Sequence, residues 1–193
     1  MGRGMIVLRD ERITHSILHF AQEHKKKTRD YLCQTALYKY LAFFDFKSLI
    51  ETGEPALNLR YSAMDYGPVP VEIYIEKKYQ STESYHFETF NNIVRIKPVP
   101  KAKVNLDFFS EYEIELMGKL LYFFATKWVT AKVISDSSHK EIRAWKVAYE
   151  RKKNSIIQYR EEFKDDIVKR YSDGTSSLAE EHFIIYSALH DVQ

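Results

Sequence analysis

The 193-residue sequence predicts a mainly α, compact multi-helix domain carrying one small β-hairpin. Three observations predict it. Apolar residues recur at helical spacing, as at Cys33, Leu37, Tyr40, Leu41 and Phe44. Capping patterns of Ser followed three residues later by Glu punctuate the second half at Ser110, Ser138 and Ser177. One segment, YHFETFNNIVRI, switches to the two-residue alternation of strands.

The elements follow in order. Ile13, Ile17, Phe20 and Ala21 share one face of a helix over residues 12–24, and Lys25-Lys26-Lys27 reads as a solvated turn after it. Thr28 is placed to cap the next helix, with Asp30 in its first turn. Phe43 and Phe46 widen that helix's apolar stripe, which makes it central, and Gly53 and Pro55 end it. Residues 71–80 read as a short helix. In the hairpin, Asn91-Asn92 forms the two-residue turn, since Asn tolerates a left-handed backbone. Ser110 with Glu113 forms a capping box and Phe109 with Ile114 a hydrophobic staple, opening a helix through Met117, Leu121 and Phe124. Thr130 starts a short helix, and Ser138 with Glu141 caps another lined by Ile142, Trp145 and Tyr149. Phe163, Ile167 and Tyr171 share a further helix stopped by Gly174. Ser177 with Glu180 caps the last, with Leu178, His182, Ile185 and Leu189 on one face.

Composition narrows the function classes. A net charge of +2 gives no field that makes nucleic acid the default partner, so the basic clusters Lys25-Lys26-Lys27, Lys101 with Lys103, and Arg151-Lys152-Lys153 leave nucleic acid as a disfavoured partner. The lone Cys33 excludes an internal disulfide and a cysteine zinc site; it suits a reducing cytoplasm and reads as a small buried hydrophobe. No apolar run reaches membrane-span length, and the four-residue apolar run near the start is too short for a signal peptide, so no membrane partner is expected. No metal or cofactor motif is present: His15, His19 and His24 lack a surrounding zinc pattern. Glu161-Glu162 and Asp165-Asp166, among cations, read as a solvated helix face.

The least generic stretch is Tyr61–Tyr74, YSAMDYGPVPVEIY. Pro68 and Pro70 each remove a backbone donor, and neither a Walker ending nor a three-glycine pattern is present, which argues against a phosphate cradle. Pro70 fits the first turn of a helix and Pro68 restricts Gly67, so the stretch reads as a stiff aromatic corner. Such a corner can anchor a partner.

The run Ala63-Met64-Asp65-Tyr66-Gly67-Pro68-Val69, followed by a helix with Tyr74, resembles the signature of SocA-like antitoxins, the Panacea domain. The upstream LCQTALYKYLAFFDF, the downstream FSEYEIELMGKLLYFF and the Ser-His-then-Trp block SSHKEIRAW fit the family's other blocks in order. Met64 stands where many members carry Trp, and the tail beyond Glu150 has no counterpart. The resemblance implies a helical antitoxin domain over residues 1–150; residues 151–193, which it does not cover, are expected to form a helical extension packed on the same domain. It also implies a cytoplasmic antitoxin of a toxin–antitoxin system that binds and neutralises a cognate protein toxin, usually encoded by an adjacent gene. At least one relative delivers its toxin to a protease, which makes a protease adaptor one alternative; a DNA-binding autoregulator is another. The expected toxin-binding residues are Tyr61, Asp65, Tyr66, Gly67, Pro68, Val69, Pro70 and Tyr74, while His139 and Trp145 are motif residues without an assigned role. A third alternative is an enzyme built near His139. Because Asp136, Ser137, Ser138 and His139 are neighbours in sequence, they cannot converge as a triad does, and no catalytic residue is assigned.

Overall fold

In the computed structural model, which describes residues 2–163 and 166–190, a buried helix forms the centre and everything else is arranged about it. α1 (Gly2–Thr28) leads into this central helix, α2 (Gln34–Thr52). β1 (Tyr61–Met64) and β2 (Gly67–Pro70) form a first hairpin, followed by the single turn α3 (Val71–Tyr74). β3 (Tyr85–Phe90) and β4 (Ile93–Pro98) form a second hairpin. α4 (Glu111–Phe124), α5 (Ala131–Glu141) and α6 (Arg143–Arg151) follow, then β5 (Ile156–Ile157), α7 (Ile167–Ser172) and α8 (Leu178–His190). The mainly α architecture with small antiparallel strands is the one the sequence predicts.

α2 is apolar almost all round, and a helix of that kind must be covered on every side. Its residues are buried from Ala36 through Phe46 without a break, and α1, α4, α5, α8 and β2 all pack on it. Rings carry much of the contact: Phe20 stacks on Tyr40 at 5.0 Å and meets Phe44 edge-on, while Phe43 stacks on Phe124 at 5.2 Å. Each fully buried large apolar side chain contributes about 1.5–3 kcal/mol of transfer free energy. Gly53 ends α2 in the left-handed region with φ 86°, its N–H on the Leu49 carbonyl. A Cβ there would stand 2.5 Å from the Ala179 carbonyl oxygen, so the same glycine lets α8 lie against the end of α2.

Several local expectations are corrected. α1 does not stop before Lys25 but runs through all three lysines, whose charges complement its C-terminal dipole. Thr28 closes α1, its hydroxyl donating to the His24 carbonyl, and α2 starts instead after Cys33. Cys33 is half-buried in that N-cap position and bridges to Arg95 rather than lying inside the helix. The helix expected over 71–80 ends at Tyr74, since Lys77 and Tyr79 adopt positive φ. Ser138 caps nothing: it lies inside α5, and its hydroxyl donates to the Ser135 carbonyl. On α8 the face bearing Leu178, Ile185 and Leu189 is exposed, and Phe183 is the buried anchor. Phe163 lies outside α7, and of the acidic pairs Glu162 is buried while Asp166 caps α7; Asp165 lies outside the described residues.

Candidate functional site

The YSAMDYGPVP stretch is a β-hairpin rather than a bare corner. Tyr61 pairs with Pro70 and Met64 with Gly67, which leaves Asp65 and Tyr66 as the two turn residues. Two prolines fit because β2 is an edge strand, in the order β2-β1-β5, where a missing N–H breaks no ladder. β5 closes the other side, Ile157 opposite Tyr61, and Ala63 exchanges backbone hydrogen bonds with Asn154 and Ser155.

Beneath the turn lies a buried cation. Lys39, 1% exposed in the middle of α2, donates from Nζ to the Pro68 carbonyl at 2.8 Å. Burial pulls its pKa down from 10.5 to about 7. Gly67 (φ 97°) is what allows this approach: a Cβ would lie 2.5 Å from Ser138 Oγ and 3.0 Å from Lys39 Cε. At the far end of the hairpin the buried Asp45 accepts from the Leu57, Asn58 and Leu59 backbone N–H groups and from the Tyr61 hydroxyl at 2.8 Å. Burial raises its pKa to about 6 against the pull of those donors. The Tyr159 hydroxyl donates to the Leu59 carbonyl at 2.6 Å and lies 3.2 Å from Asp45 Oδ2.

A column of rings braces the turn from outside. His139 stacks on Trp145 at 4.0 Å and 4°, and Trp145 stacks on Tyr149 at 4.8 Å. The Lys153 ammonium lies 5.2 Å from the centre of the Tyr149 ring. Trp145 Nε1 donates to the Met64 carbonyl at 3.1 Å; the Tyr149 hydroxyl donates to Asp65 at 2.8 Å, and Lys153 pairs with the same carboxylate at 3.2 Å. Those partners hold Asp65 below the ordinary carboxylate range. α6 carries most of this column and is itself capped from a distance. Ile142 offers no capping side chain, and the buried Glu162 instead accepts from the N–H groups of Arg143 and Ala144.

The residues singled out in sequence therefore divide. Asp65, Tyr66 and Tyr74 are exposed, Tyr66 to 74%, and Tyr74 meets Tyr38 edge-on at 6.1 Å. Tyr61, Gly67, Pro68, Val69 and Pro70 are buried. Trp145 is buried under Tyr149, and His139 is half-buried with Nε2 lacking a hydrogen-bond partner. Its pKa is lowered by burial first and then by the Lys39 charge. Ser138 directs its proton to Ser135, which gives no nucleophile–base pair at this point. Among the described residues no group of three or more His, Cys, Asp or Glu could hold a metal ion, and no helix is long and apolar enough to cross a membrane. A further set of exposed rings stands where α4 ends and α5 begins: Tyr122, Phe123 and Trp128, the last 90% exposed.

Lys39, Asp45 and Glu162 escape a motif-based reading. The first two had a signal: a charged residue inside a helix that is apolar on every side has to be buried. Glu162 had none, because the helix it caps begins 19 residues earlier in the chain.

The family model described as antitoxin SocA-like, Panacea domain, matches residues 37–146, more than half of the chain. The matched span runs from within α2 to Lys146 and so contains Lys39, both hairpins and the His139–Trp145 stack. No curated protein and no solved structure matches.

Proposed function

The chain belongs to the SocA-like antitoxin family, and from that premise we propose that it neutralises a cognate protein toxin by direct binding through the Asp65–Tyr66 turn. The observation that carries this reading is a large, solvent-facing ring on a turn held from below by Lys39 and from the side by Trp145, Tyr149 and Lys153. Interface energy concentrates in aromatic anchors that lose little freedom on binding, and an exposed Tyr on a fixed turn is of that kind. Asp65, Tyr66 and Tyr74 are the contacting residues in this reading, with Tyr122, Phe123 and Trp128 as a second aromatic area. Tyr61, Gly67, Pro68, Val69 and Pro70 shape the turn from beneath. Thr130, which caps the start of α5, and Ser138, inside α5 against Gly67, are eight residues apart, so about 12 Å of helix rise lies between them, within the span of one interface.

The test is co-expression of the chain with each neighbouring gene product, scored for growth rescue and for co-elution in a fixed ratio. The Tyr66→Ala variant is expected to keep the thermal transition and to weaken the complex about 30-fold, as loss of a 2 kcal/mol anchor would. A toxic neighbour that is silenced without co-elution would sink direct occlusion and move attention to degradation. Loss of cooperative melting in Tyr66→Ala would assign the ring to the fold instead.

A further inference from the structure

A second surface, away from that turn, concentrates the chain's positive charge. Residues 22–31 and 95–103 hold eight of the 29 Lys and Arg residues and only two of the 27 acids, Glu23 and Asp30. Their local balance is thus +6 against +2 for the whole chain, and the remainder of the molecule is −4. The two segments are fastened together. Ile96 N–H donates to the Leu32 carbonyl, Cys33 bridges to Arg95, and Gln22 donates to the Ala102 carbonyl at 2.8 Å. Between them runs a shallow groove of about 580 Å³, lined by Lys25, Lys26, Arg29, Tyr31 and the Pro98–Pro100 strip, with no acidic side chain in its lining.

The cations do not serve the fold alone. Lys25, Lys26 and Lys27 complement the α1 dipole and Arg29 caps the end of α1, its N–H on the Lys25 carbonyl, but Lys101 and Lys103 belong to no helix end. Lys25, Lys27, Arg29, Lys101 and Lys103 are exposed and make no ion pair among the described residues. Arg29 and Lys101 hold φ of 71° and 70°, a backbone that Gly or Asn adopts more readily, yet each position carries a long cation. Tyr31 holds its ring at the groove with the Lys25 ammonium 4.0 Å and the Lys97 ammonium 5.6 Å from its centre.

We propose that the groove between the end of α1 and the segment after β4 binds the phosphate backbone of nucleic acid. Lys25, Arg29, Lys101 and Lys103 take phosphates, and contact is to the backbone rather than to base edges. The test uses the full chain and a labelled 20-base-pair DNA duplex, followed by anisotropy across a potassium chloride series. Binding is expected to weaken with salt at a log–log slope of roughly −4, near 0.9 per neutralised phosphate. The Lys25→Glu, Arg29→Glu, Lys101→Glu, Lys103→Glu variant, with unchanged circular dichroism and melting, is expected to lose at least 100-fold in affinity. A charge-matched control at Lys127, Lys132, Lys146 and Lys152 is expected to lose less than a tenth as much. If the glutamate variant melts early, the four Gln substitutions replace it, and a loss above tenfold is required of them. Equal losses in the two sets, or no salt-dependent binding at 50 mM salt, would overturn the assignment. So would polyglutamate or phosphatidylserine vesicles binding as tightly as the duplex, since the surface would then be a general anion face.

Discussion

A methyl group added at Gly67 would have to push into Ser138 Oγ and the Lys39 stem while holding φ at 97°. Strain and overpacking together are expected to destabilise Gly67→Ala by about 2–4 kcal/mol. Gly174→Ala, whose added Cβ meets nothing within 4 Å but whose φ is 66°, should cost only the strain, about 1–2 kcal/mol. Urea denaturation of the pair separates the two contributions. Lys39 gives the protein a stability that depends on pH. Its ordinary pKa is 10.5 and the folded value about 7, so between those limits the unfolded chain binds more protons. Unfolding free energy therefore rises with pH from about 7 to 10.5. Lys39→Met is expected to flatten that rise, which chemical denaturation at pH 7, 8.5 and 10 would register; an unchanged slope would mean the ammonium is not the source. Asp45 works in a separate window and with the opposite sign. It retains its proton up to about 6 when folded and loses it near 3.8 when unfolded, so stability declines as pH rises between those values. The burial of these two charges left a signal in the sequence; the partners they meet did not. Each stands among Tyr, Phe, Leu and Ala, and which acceptor or donor it meets is decided by segments 12 to 114 residues away.

Elements with reciprocal local signals were legible; those stabilised from a distance were not. Ser110 and Glu113 exchange the hydrogen bonds of a capping box at the head of α4, Ser177 and Glu180 do the same at α8, and Asn91 and Asn92 turn β3 into β4 with φ of 48° and 61°. All three are decided by residues within four positions of one another. The β1–β2 hairpin went unread because Pro68 and Pro70 look like breakers, and only the sheet order, which puts β2 at an edge, makes them strand residues. Ser138 and Glu141 match the capping pattern letter for letter, yet α5 passes through them and the break comes at Ile142. The cap that α6 does use is Glu162. Glu162→Ala is expected to cost about 1–2 kcal/mol by leaving the Arg143 and Ala144 N–H groups without an acceptor. Loosening of α6 should also shift the emission of Trp145, so fluorescence and denaturation together test the assignment.

Across the whole molecule, the region after Glu150 is tied into the domain at several points. β5 pairs with β1, Tyr159 meets Phe46 at a tilt with ring centres 5.1 Å apart and reaches the Leu59 carbonyl, Glu162 caps α6, and Phe183 is buried where α8 crosses Gly53. A chain cut after Glu150 would keep the whole family-matched span and lose all four. It is expected to melt without a cooperative transition; a sharp transition in the truncated chain would show that the first 150 residues stand alone. The Asp45 carboxylate adds a matter of timing. Its hydrogen-bonding partners come from residues 57–61 and from Tyr159, and the turn that presents Tyr66 is braced by Tyr149 and Lys153. A ribosome adds about 5–20 residues per second, so the hairpin is made several seconds before the residues that finish it. During that interval the nascent chain carries the turn sequence but not the finished turn, and a molecule that recognises the braced Tyr66 has nothing to grip until translation has passed Tyr159.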